Sequence, residues 1–265
     1  MEGETERKEK ALEDILKKAG SVAVAFSGGV DSTYLLHMAH KVLGDKAIAV
    51  TMRLPSVPER EVKEAEDFCK KRGIVHHIIR RNQFEAEGFS KNPKDRCYIC
   101  KHYLFSFFKD RAEENHFAVA AEGTNFSDTA GFRPGLKALE ELGIRSPLKE
   151  AGLTKTEIRQ LSEKEGLPTW NKPSFSCLAT RFPYGTELTE EKLRAVEKAE
   201  QLLFDLGFSQ FRVRCHEDIA RIEVLVSELP KLLEKREIIV PFFKKSGFTY
   251  VTMDLEGFRS GSMDV

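Results

Sequence analysis

Two adjacent glycines, Gly28 and Gly29, separate a short apolar run from an amphipathic segment near the start of the chain. Residues 21–26 are mostly apolar and bounded by glycines, which is typical of a buried strand of a parallel sheet. Residues 32–43 carry apolar side chains at helical spacing and end at Gly44, a common helix stop. A strand, a tight glycine turn and a helix begin a βαβ unit, so this segment predicts a parallel sheet.

The same alternation of strands and helices continues through the first two-thirds of the chain. Further strands are predicted at residues 46–51, 74–79, 117–121 and 144–148. Helices are predicted at residues 59–71, at residues 98–116 and from Pro134. Thr154 and Glu157 form a capping box that opens another helix. Because the strands are joined by helix-length crossovers, the chain is predicted to have an α/β fold with a doubly wound parallel sheet.

The pattern changes after residue 167. Residues 168–185 hold three prolines and little periodicity, so they are predicted to form a long loop of the kind that often carries function. Beyond it the order becomes helix, strand, strand, helix, strand, at residues 189–206, 210–215, 220–226, 229–245 and 248–253. We therefore predict a first domain at residues 1–185 and a smaller α+β domain at residues 186–265.

Composition narrows the class of protein and its compartment. Forty-two Lys and Arg balance 42 Asp and Glu, so the net charge argues against bulk affinity for nucleic acid. No apolar run is long enough to cross a bilayer, and the charged start does not resemble a secretory signal. Five cysteines in such a chain suggest reduced thiols. We expect a cytoplasmic protein that contacts no membrane.

The glycine turn carries residues suited to binding phosphate. Gly28 and Gly29 allow the backbone to approach a ligand closely, and the N–H groups at the following helix start attract anions. Ser27 and Ser32 add hydroxyl donors, and Asp31 can hold a Mg²⁺ that bridges phosphate oxygens. The Lys of a Walker A loop is missing. The alternative is an ordinary strand-to-helix turn without a ligand.

This hexapeptide resembles the pyrophosphate-binding loop of the ATP pyrophosphatase, or PP-loop, superfamily. That group includes GMP, NAD and asparagine synthetases and tRNA thiolation enzymes, and its fold is the adenine nucleotide alpha hydrolase-like fold. The resemblance implies that ATP adenylates a carbonyl or carboxylate oxygen and that pyrophosphate is released. It also implies nucleotide contacts from Gly123, Thr124 and Asp128 after the fourth strand, although residues 124–128 alone also suit a polar turn. Met52, beside Arg53, stands where the superfamily holds adenine.

Longer strings narrow the resemblance to one family. They are Asp95 to Lys101, Gly123 to Asn125, Arg133 to Gly135, Ser146 to Leu148, Gly152 to Lys155, Pro168 to Trp170, Lys172 to Ser174, Ser176 to Arg181, Pro183 to Gly185 and Gly257 to Gly261. They resemble the LarE-type pyridinium sulfurtransferases, which insert sulfur while the nickel-pincer cofactor of lactate racemase is made. The resemblance covers nearly the whole chain, with Thr180 standing where Ser is expected.

The resemblance makes three cysteines candidates for sulfur chemistry. In the family, a lone cysteine at the position of Cys177 can give up its own sulfur and leave dehydroalanine. Other members carry three cysteines that hold a [4Fe-4S] cluster, and Cys97 and Cys100 complete that set here. We favour the cluster, because an exchangeable sulfide lets the enzyme turn over. The alternatives are a zinc site closed by His102, a redox disulfide, or cysteines that only pack a helix. Cys69 and Cys215 are predicted to be buried small hydrophobes.

Arginines are the candidates for the phosphate of the pyridinium mononucleotide substrate that the family implies. Arg212 and Arg214 lie two apart on a predicted strand and share a face, and guanidinium groups grip phosphate well. A solvated charged strand face is the alternative. Arg181 and Arg259 are further candidates. Arg133 and Lys155 could neutralise pyrophosphate on similar grounds.

Two further aspects concern Trp170 and partners. Trp170 could stack on a ring or simply pack against its loop. The expected partners are ATP, the pyridinium substrate, a sulfide donor and further copies of the chain in a homo-oligomer.

Three other functions stay open at this point. A tRNA thiolation enzyme would share the loop and the cysteines but should carry an RNA-binding domain. An ammonia-dependent ligase would need an ammonia source, and the sequence shows no glutaminase signature. A nucleotide-binding module without catalysis would bind ATP and not turn it over.

Overall fold

The computed structural model describes residues 3–129 and 134–263. The chain folds into two compact units. The first unit comprises Met1–Glu87 and Asp95–Ser174, and the second comprises Gly88–Lys94 and Phe175–Val265. The loop at residues 175–185, which the sequence pattern assigned to the first domain, therefore groups with the second unit. The reason is visible at Gly185, whose N–H donates to the carbonyl of Asn92 at 2.9 Å within the same unit.

The first unit is an α/β unit built on four strands. Its strands are β1 (Val22–Ala25), β2 (Ala47–Arg53), β3 (His76–Arg80) and β4 (Val119–Ala121). Its helices are α1 (Glu4–Ala19), α2 (Val30–Leu43), α3 (Glu59–Arg72), α4 (Arg96–Glu114), α5 (Pro134–Glu141), α6 (Pro147–Glu150) and α7 (Lys155–Lys164). The strand order is β3-β2-β1-β4 and every pair is parallel. This confirms the predicted α/β fold with a parallel sheet.

The sheet is buried on both faces, because successive residues of a strand point to opposite sides. Val22 and Val24 of β1 belong to one apolar cluster, which also holds residues of α1, α2, α3 and α7. Ala23 of the same strand belongs to a second cluster with Phe108 of α4 and Leu139 of α5. Right-handed crossovers require this arrangement, since the chain moves from β1 to β3 in one direction and then returns past β1 to β4. The strand order thus reverses beside β1, where open α/β sheets bind ligands.

The fifth predicted strand, at residues 144–148, was wrong. Arg145 makes one parallel bridge to Ala121, with N–H···O bonds of 3.0 and 2.9 Å on either side. Pro147 then opens α6, since proline lacks the N–H that a continuing ladder needs and favours the first turn of a helix. The strand therefore ends after a single residue.

The second unit is a small α+β unit. Its elements are α8 (Glu190–Asp205), β5 (Phe211–His216), β6 (Ile219–Val224), α9 (Leu229–Glu234), α10 (Arg236–Lys245) and β7 (Tyr250–Met253). Its sheet has the order β5-β6-β7, antiparallel between β5 and β6 and parallel between β6 and β7. The single helix predicted at residues 229–245 is divided at Lys235 into α9 and α10. Across the described part of the chain, no helix is long and apolar enough to cross a bilayer.

Candidate active site

The loop between β1 and α2 has the backbone geometry of an anion site. Gly28 has a φ of +69°, which favours glycine, and Gly29 is the N-cap of α2. Gly29 offers no capping side chain, so the first N–H groups of α2 face the space beyond the helix. The hydroxyls of Ser27 and Ser32 lie 3.0 Å apart at the same point. The loop therefore groups backbone and hydroxyl donors where a phosphate would be bound.

The segment after β4 packs directly on this loop. A Cβ on Gly123 would lie 2.9 Å from the backbone nitrogen of Ser32, so only glycine fits there. The preceding residue, Glu122, is buried and fixes the turn by accepting hydrogen bonds. Its carboxylate accepts from the N–H of Thr124 at 3.0 Å, from the hydroxyl of Thr124 at 2.8 Å and from the hydroxyl of Ser146 at 2.6 Å. The two predicted nucleotide loops are thus one continuous surface of the first unit.

Asp31 lies on the first turn of α2 with two polar partners. The ammonium of Lys155 donates to one carboxylate oxygen, and the side-chain amide of Asn125 donates to the other at 3.3 Å. The Asp31 side chain is 21% exposed, so it is accessible at the loop. Mg²⁺ in nucleotide sites is commonly held by one or two carboxylates together with substrate phosphates, and Asp31 fits that requirement. Residues 3–129 and 134–263 contain no group of three His, Cys, Asp or Glu side chains placed for a metal ion.

Lys155 is held in position by the start of α7. The N–H of Thr154 donates to Glu157 at 2.8 Å and the N–H of Glu157 donates to the hydroxyl of Thr154, which confirms the predicted capping box. Lys8 of α1 forms an ion pair with Glu157 at 2.8 Å. Burial by itself raises the pKa of Glu157, but the hydrogen bonds from Lys8 and Thr154 outweigh it and lower the pKa to about 2. A charged Glu157 therefore anchors the helix start that carries Lys155.

Met52 and Arg53 are the last residues of β2, at the same sheet edge as the glycine loop. Met52 is partly buried and packs against the apolar cluster that holds Phe108. The Nε of Arg53 donates to Glu59 of α3 at 3.0 Å. The position of Met52 agrees with the expectation that this strand end faces the adenine, which stays a prediction.

The three candidate cysteines are divided between the two units. Cys97 and Cys100 lie on the first turn of α4, where a spacing of three places both on one helix face. Cys97 is exposed and Cys100 is half-buried. Cys177 is half-buried and belongs to the second unit, immediately before a short 3₁₀ helix at Leu178–Arg181. Two accessible thiols one turn apart suit a thiolate-ligated group.

The other two cysteines are buried, as the sequence predicted. Cys69 of α3 and Cys215 of β5 are 1% and 5% exposed. Burial raises the pKa of Cys69 to about 12 and that of Cys215 to about 11. Both thiols therefore stay protonated at neutral pH and act as small apolar side chains.

Arg181 holds the Cys177 segment by its backbone. Its Nε and Nη2 donate to the two carboxylate oxygens of Glu200 at 2.7 and 3.0 Å. Its Nη1 donates to the carbonyls of Ser176 and Cys177 and to the hydroxyl of Thr180. Arg181 is 1% exposed, and its charge lowers the pKa of Glu200 although burial alone would raise it. The guanidinium is therefore fully engaged in shaping the segment around Cys177.

The paired arginines of β5 are buried, so a solvated strand face was the wrong interpretation. Arg212 and Arg214 are each 4% exposed. Arg214 forms an ion pair with Glu223 at 2.9 Å and donates to the carbonyl of Thr180 at 3.0 Å. Arg212 lies within 5.4 Å of the ring centre of Phe175 and 5.0 Å of that of Phe258. Burial, reinforced by the charge of Arg181, lowers the pKa of Arg212 to about 10.

Three predicted residues remain. Arg259 is 38% exposed in its side chain and pairs with Asp254 at 3.3 Å. Trp170 is 38% exposed, and its carbonyl accepts from Arg159 at 2.6 Å. Arg133 lies outside the described residues.

Comparison with known proteins decides between the related families. A profile described as a PP-loop domain matches residues 1–121. The chain is 38% identical to the pyridinium-3,5-bisthiocarboxylic acid mononucleotide synthase of Lactiplantibacillus plantarum, over 97% of this chain and 94% of that protein. The chain belongs to the LarE-type pyridinium sulfurtransferases.

Other relatives show which part of the chain is shared more widely. An uncharacterized protein of Synechocystis sp. is 38% identical over 97% of both chains. A glutamine-hydrolyzing GMP synthase polypeptide of Archaeoglobus fulgidus is 26% identical over 74% of this chain and 68% of that protein. The LarE-type match thus extends over both units.

Sequence reasoning missed three residues of this LarE-type site. Glu122 and Asn125 lie in or beside a matching string but received no role, and they prove to fix the second loop and Asp31. Lys172 also lies in a matching string, and its ammonium donates to the carbonyl of Gly28 at 3.1 Å. Polar residues within long matching strings were the available signal. Their partners were not predictable, because these partners are far away in sequence.

The low pKa of Glu157 predicts a pH-dependent contribution to stability. The pKa falls from an ordinary 4.5 to about 2 on folding, so the stabilisation is present above pH 4.5 and is lost as the pH falls towards 2. Glu157→Gln should lower the free energy of unfolding by about 1–2 kcal/mol at pH 7. Urea unfolding at several pH values measures this difference, which should shrink below pH 4.5. Glu163→Gln, an exposed position on the same helix, is the control. A difference for Glu157→Gln that does not depend on pH would contradict the assignment.

The buried pair of Arg181 and Glu200 predicts a large effect in the second unit. Arg181→Met leaves Glu200 buried without its guanidinium partner, so the free energy of unfolding should fall by about 3–5 kcal/mol. Arg194→Met removes an exposed pair with Glu190 on α8 and should cost below about 1 kcal/mol. Urea unfolding of both variants measures the contrast. Equal losses in the two variants would show that the buried pair does not hold this segment.

Proposed function

We propose that this chain is an ATP-dependent sulfurtransferase that converts the carboxylates of a pyridinium biscarboxylic acid mononucleotide into thiocarboxylates. The product would serve the nickel-pincer cofactor of lactate racemase. The observation that carries the proposal is the 38% identity, over both units, to a synthase named for the pyridinium bisthiocarboxylic acid mononucleotide. The PP-loop match and the geometry of the glycine loop support the use of ATP.

The first half-reaction would take place at the glycine loop. A substrate carboxylate oxygen attacks the α-phosphorus of ATP, the new P–O bond replaces the α–β bond, and pyrophosphate leaves. Ser27, Gly29 and Ser32 would donate hydrogen bonds to the phosphates, and Lys155 would neutralise part of the charge on the leaving pyrophosphate. Mg²⁺ held by Asp31 would screen the phosphate oxygens. The product is an acyl adenylate, which is open to nucleophiles where the free carboxylate is inert.

The second half-reaction would transfer sulfur. Hydrosulfide from a sulfide donor attacks the acyl carbon, a C–S bond forms, the C–O bond to AMP breaks, and AMP leaves with release of a proton. Two such rounds give the bisthiocarboxylate. We propose that Cys97, Cys100 and Cys177 hold a [4Fe-4S] cluster, whose iron without a cysteine ligand would bind the sulfide. The thiols at the start of α4 support this donor set by their accessibility and spacing.

Cys177 as a sacrificial sulfur donor is the second candidate for the sulfur source. Its half-buried position, on a segment held by Arg181, supports a defined thiol as well as it supports a ligand. In that case, the Cβ–S bond of Cys177 would break after sulfur transfer and dehydroalanine would remain. The two candidates share the nucleotide chemistry and differ only in where the sulfur originates.

The second unit would contribute the substrate site. Arg181, Arg212, Arg214 and Arg259 are our candidates for binding the substrate phosphate. Arg181 and Arg214 already hold carboxylates and backbone carbonyls, so their part would also be to shape the pocket wall. We further propose that the enzyme works in the cytoplasm as a homo-oligomer.

Protein purified without oxygen tests this function. With ATP, Mg²⁺, sulfide and the pyridinium biscarboxylate mononucleotide, we expect pyrophosphate release in step with thiocarboxylate formation. Cys177→Ala should lose at least a hundredfold in thiocarboxylate formation and keep its affinity for ATP. Cys215→Ala, at a buried thiol outside the proposed set, is the matched control and should keep most of the activity.

Each alternative has its own outcome in the same experiment. Pyrophosphate release that requires ammonia or glutamine would indicate a ligase, and tight binding of labelled tRNA at physiological salt would indicate a tRNA thiolation enzyme. Iron in the wild type, lost in Cys97→Ser, supports the cluster. An iron-free protein whose Cys177 loses the mass of H₂S on turnover supports sacrifice of the cysteine instead. ATP binding without any pyrophosphate release would contradict the enzyme assignment.

A further inference from the structure

Lys172 is tied to the glycine loop by three hydrogen bonds within the first unit. Its ammonium donates to the carbonyl of Gly28 at 3.1 Å and to the carboxylates of Glu61 and Glu64, each at 2.7 Å. The side chain is only 12% exposed. An ammonium has three donors, so this set of three acceptors satisfies it completely.

The contact with Gly28 sets the direction of the next N–H. The carbonyl of Gly28 and the N–H of Gly29 belong to one planar trans peptide, in which the two groups point in opposite directions. When Lys172 holds the carbonyl on the α3 side, the N–H of Gly29 must face the opposite side, at the start of α2. There it is 3.4 Å from the hydroxyl of Ser27, a long hydrogen bond that a phosphate oxygen can replace.

The tether is needed because the peptide lies between two glycines. Gly28 and Gly29 have no side chains, and a peptide between glycines rotates more freely than any other. A free rotation would turn the carbonyl oxygen towards the phosphates, which repel it. Lys172 prevents this by binding the oxygen on the far side.

Lys172 also neutralises charge next to the anion site. Glu61 is 7% exposed and lies on the first turn of α3, close to the glycine loop. Without the ammonium, Glu61 and Glu64 would place two negative charges behind a loop that must accept a triphosphate. The pairing removes most of that repulsion.

The backbone of Lys172 is itself anchored. Arg159 of α7 donates to the carbonyl of Trp170 at 2.6 Å and to that of Lys172 at 2.9 Å. The N–H of Lys172 donates to the carbonyl of Thr169 at 2.9 Å. The ammonium therefore starts from a fixed point of the first unit.

We propose that Lys172 is a positioning residue of the nucleotide site, which holds the Gly28–Gly29 peptide with its N–H directed at the pyrophosphate portion of ATP. This inference rests on the proposed use of ATP. Lys172 acts through the peptide and through Glu61 and Glu64, and it needs no contact with the nucleotide.

Calorimetric titration of the full chain with Mg-ATP tests the inference. Lys172→Met should weaken ATP binding by about tenfold to a hundredfold, since it removes a charged hydrogen bond and uncovers two carboxylates. In turnover, the KM for ATP should rise while kcat at saturating ATP changes less than threefold. Lys172→Arg should restore most of the affinity. Lys41→Met, at a lysine paired with Glu165 near the other end of α2, is the matched control and should bind ATP as the wild type does.

The outcomes separate this inference from the proposed function. A wild type that binds Mg-ATP but forms no thiocarboxylate would refute the function and leave the affinity comparison valid. A functional wild type with unchanged ATP affinity in Lys172→Met would overturn the role of Lys172. A loss of kcat without a change in KM would likewise overturn it, because a merely structural role lowers the amount of active protein. Should Lys172→Met not fold, Lys172→Gln carries the test, with a weakening of at least threefold expected and an unchanged affinity contradicting the inference.

Discussion

The close approach of Gly123 to the backbone of Ser32 is the contact on which the rest of the nucleotide site depends. It is possible only because Gly123 has no Cβ, and it joins the loop after β4 to the first turn of α2. The parallel sheet makes the contact available, since β1 and β4 are neighbours whose carboxyl ends lie at the same edge. From this contact follow the positions of Asn125 and Asp31, and with them the whole arrangement of donors around the glycine loop.

Charge is balanced locally at every part of the candidate site. Asp31 is paired with Lys155, and Glu61 and Glu64 are paired with Lys172, so the acids near the glycine loop are compensated before an anion binds. In the second unit, Glu200 and Glu223 compensate the buried guanidinium groups of Arg181 and Arg214. Buried pairs of this kind are costly to break and hold backbone segments in one arrangement. The segment around Cys177 is held in this way by Arg181.

Local sequence signals predicted the fold where they coincided with each other. The apolar run, the two glycines and the helical spacing of residues 32–43 located β1, its loop and α2, because each signal acts over a few residues. The helix α1 was not predicted, since its charged residues obscure the buried Leu12 and Leu16. The fifth strand was wrong because Pro147 stops the ladder that the apolar residues suggested.

Partnerships between distant residues were beyond the sequence. The face shared by Arg212 and Arg214 was predicted from strand alternation, but their burial was not, because it depends on Glu223 and on aromatic rings from other parts of the second unit. Lys155 and Asp31 meet only because α7 packs beside α2. The resemblance to the family identified the strings that carry these residues, and the structure supplied their contacts.

Hydrogen–deuterium exchange with and without Mg-ATP tests most directly whether the nucleotide binds where the two loops meet. If it does, the backbone amides of residues 27–33 and 122–126 should exchange more slowly with ATP, while those of β5 and β6 stay unchanged. Slowing confined to other parts of the chain, with both loops exchanging as before, would contradict the account.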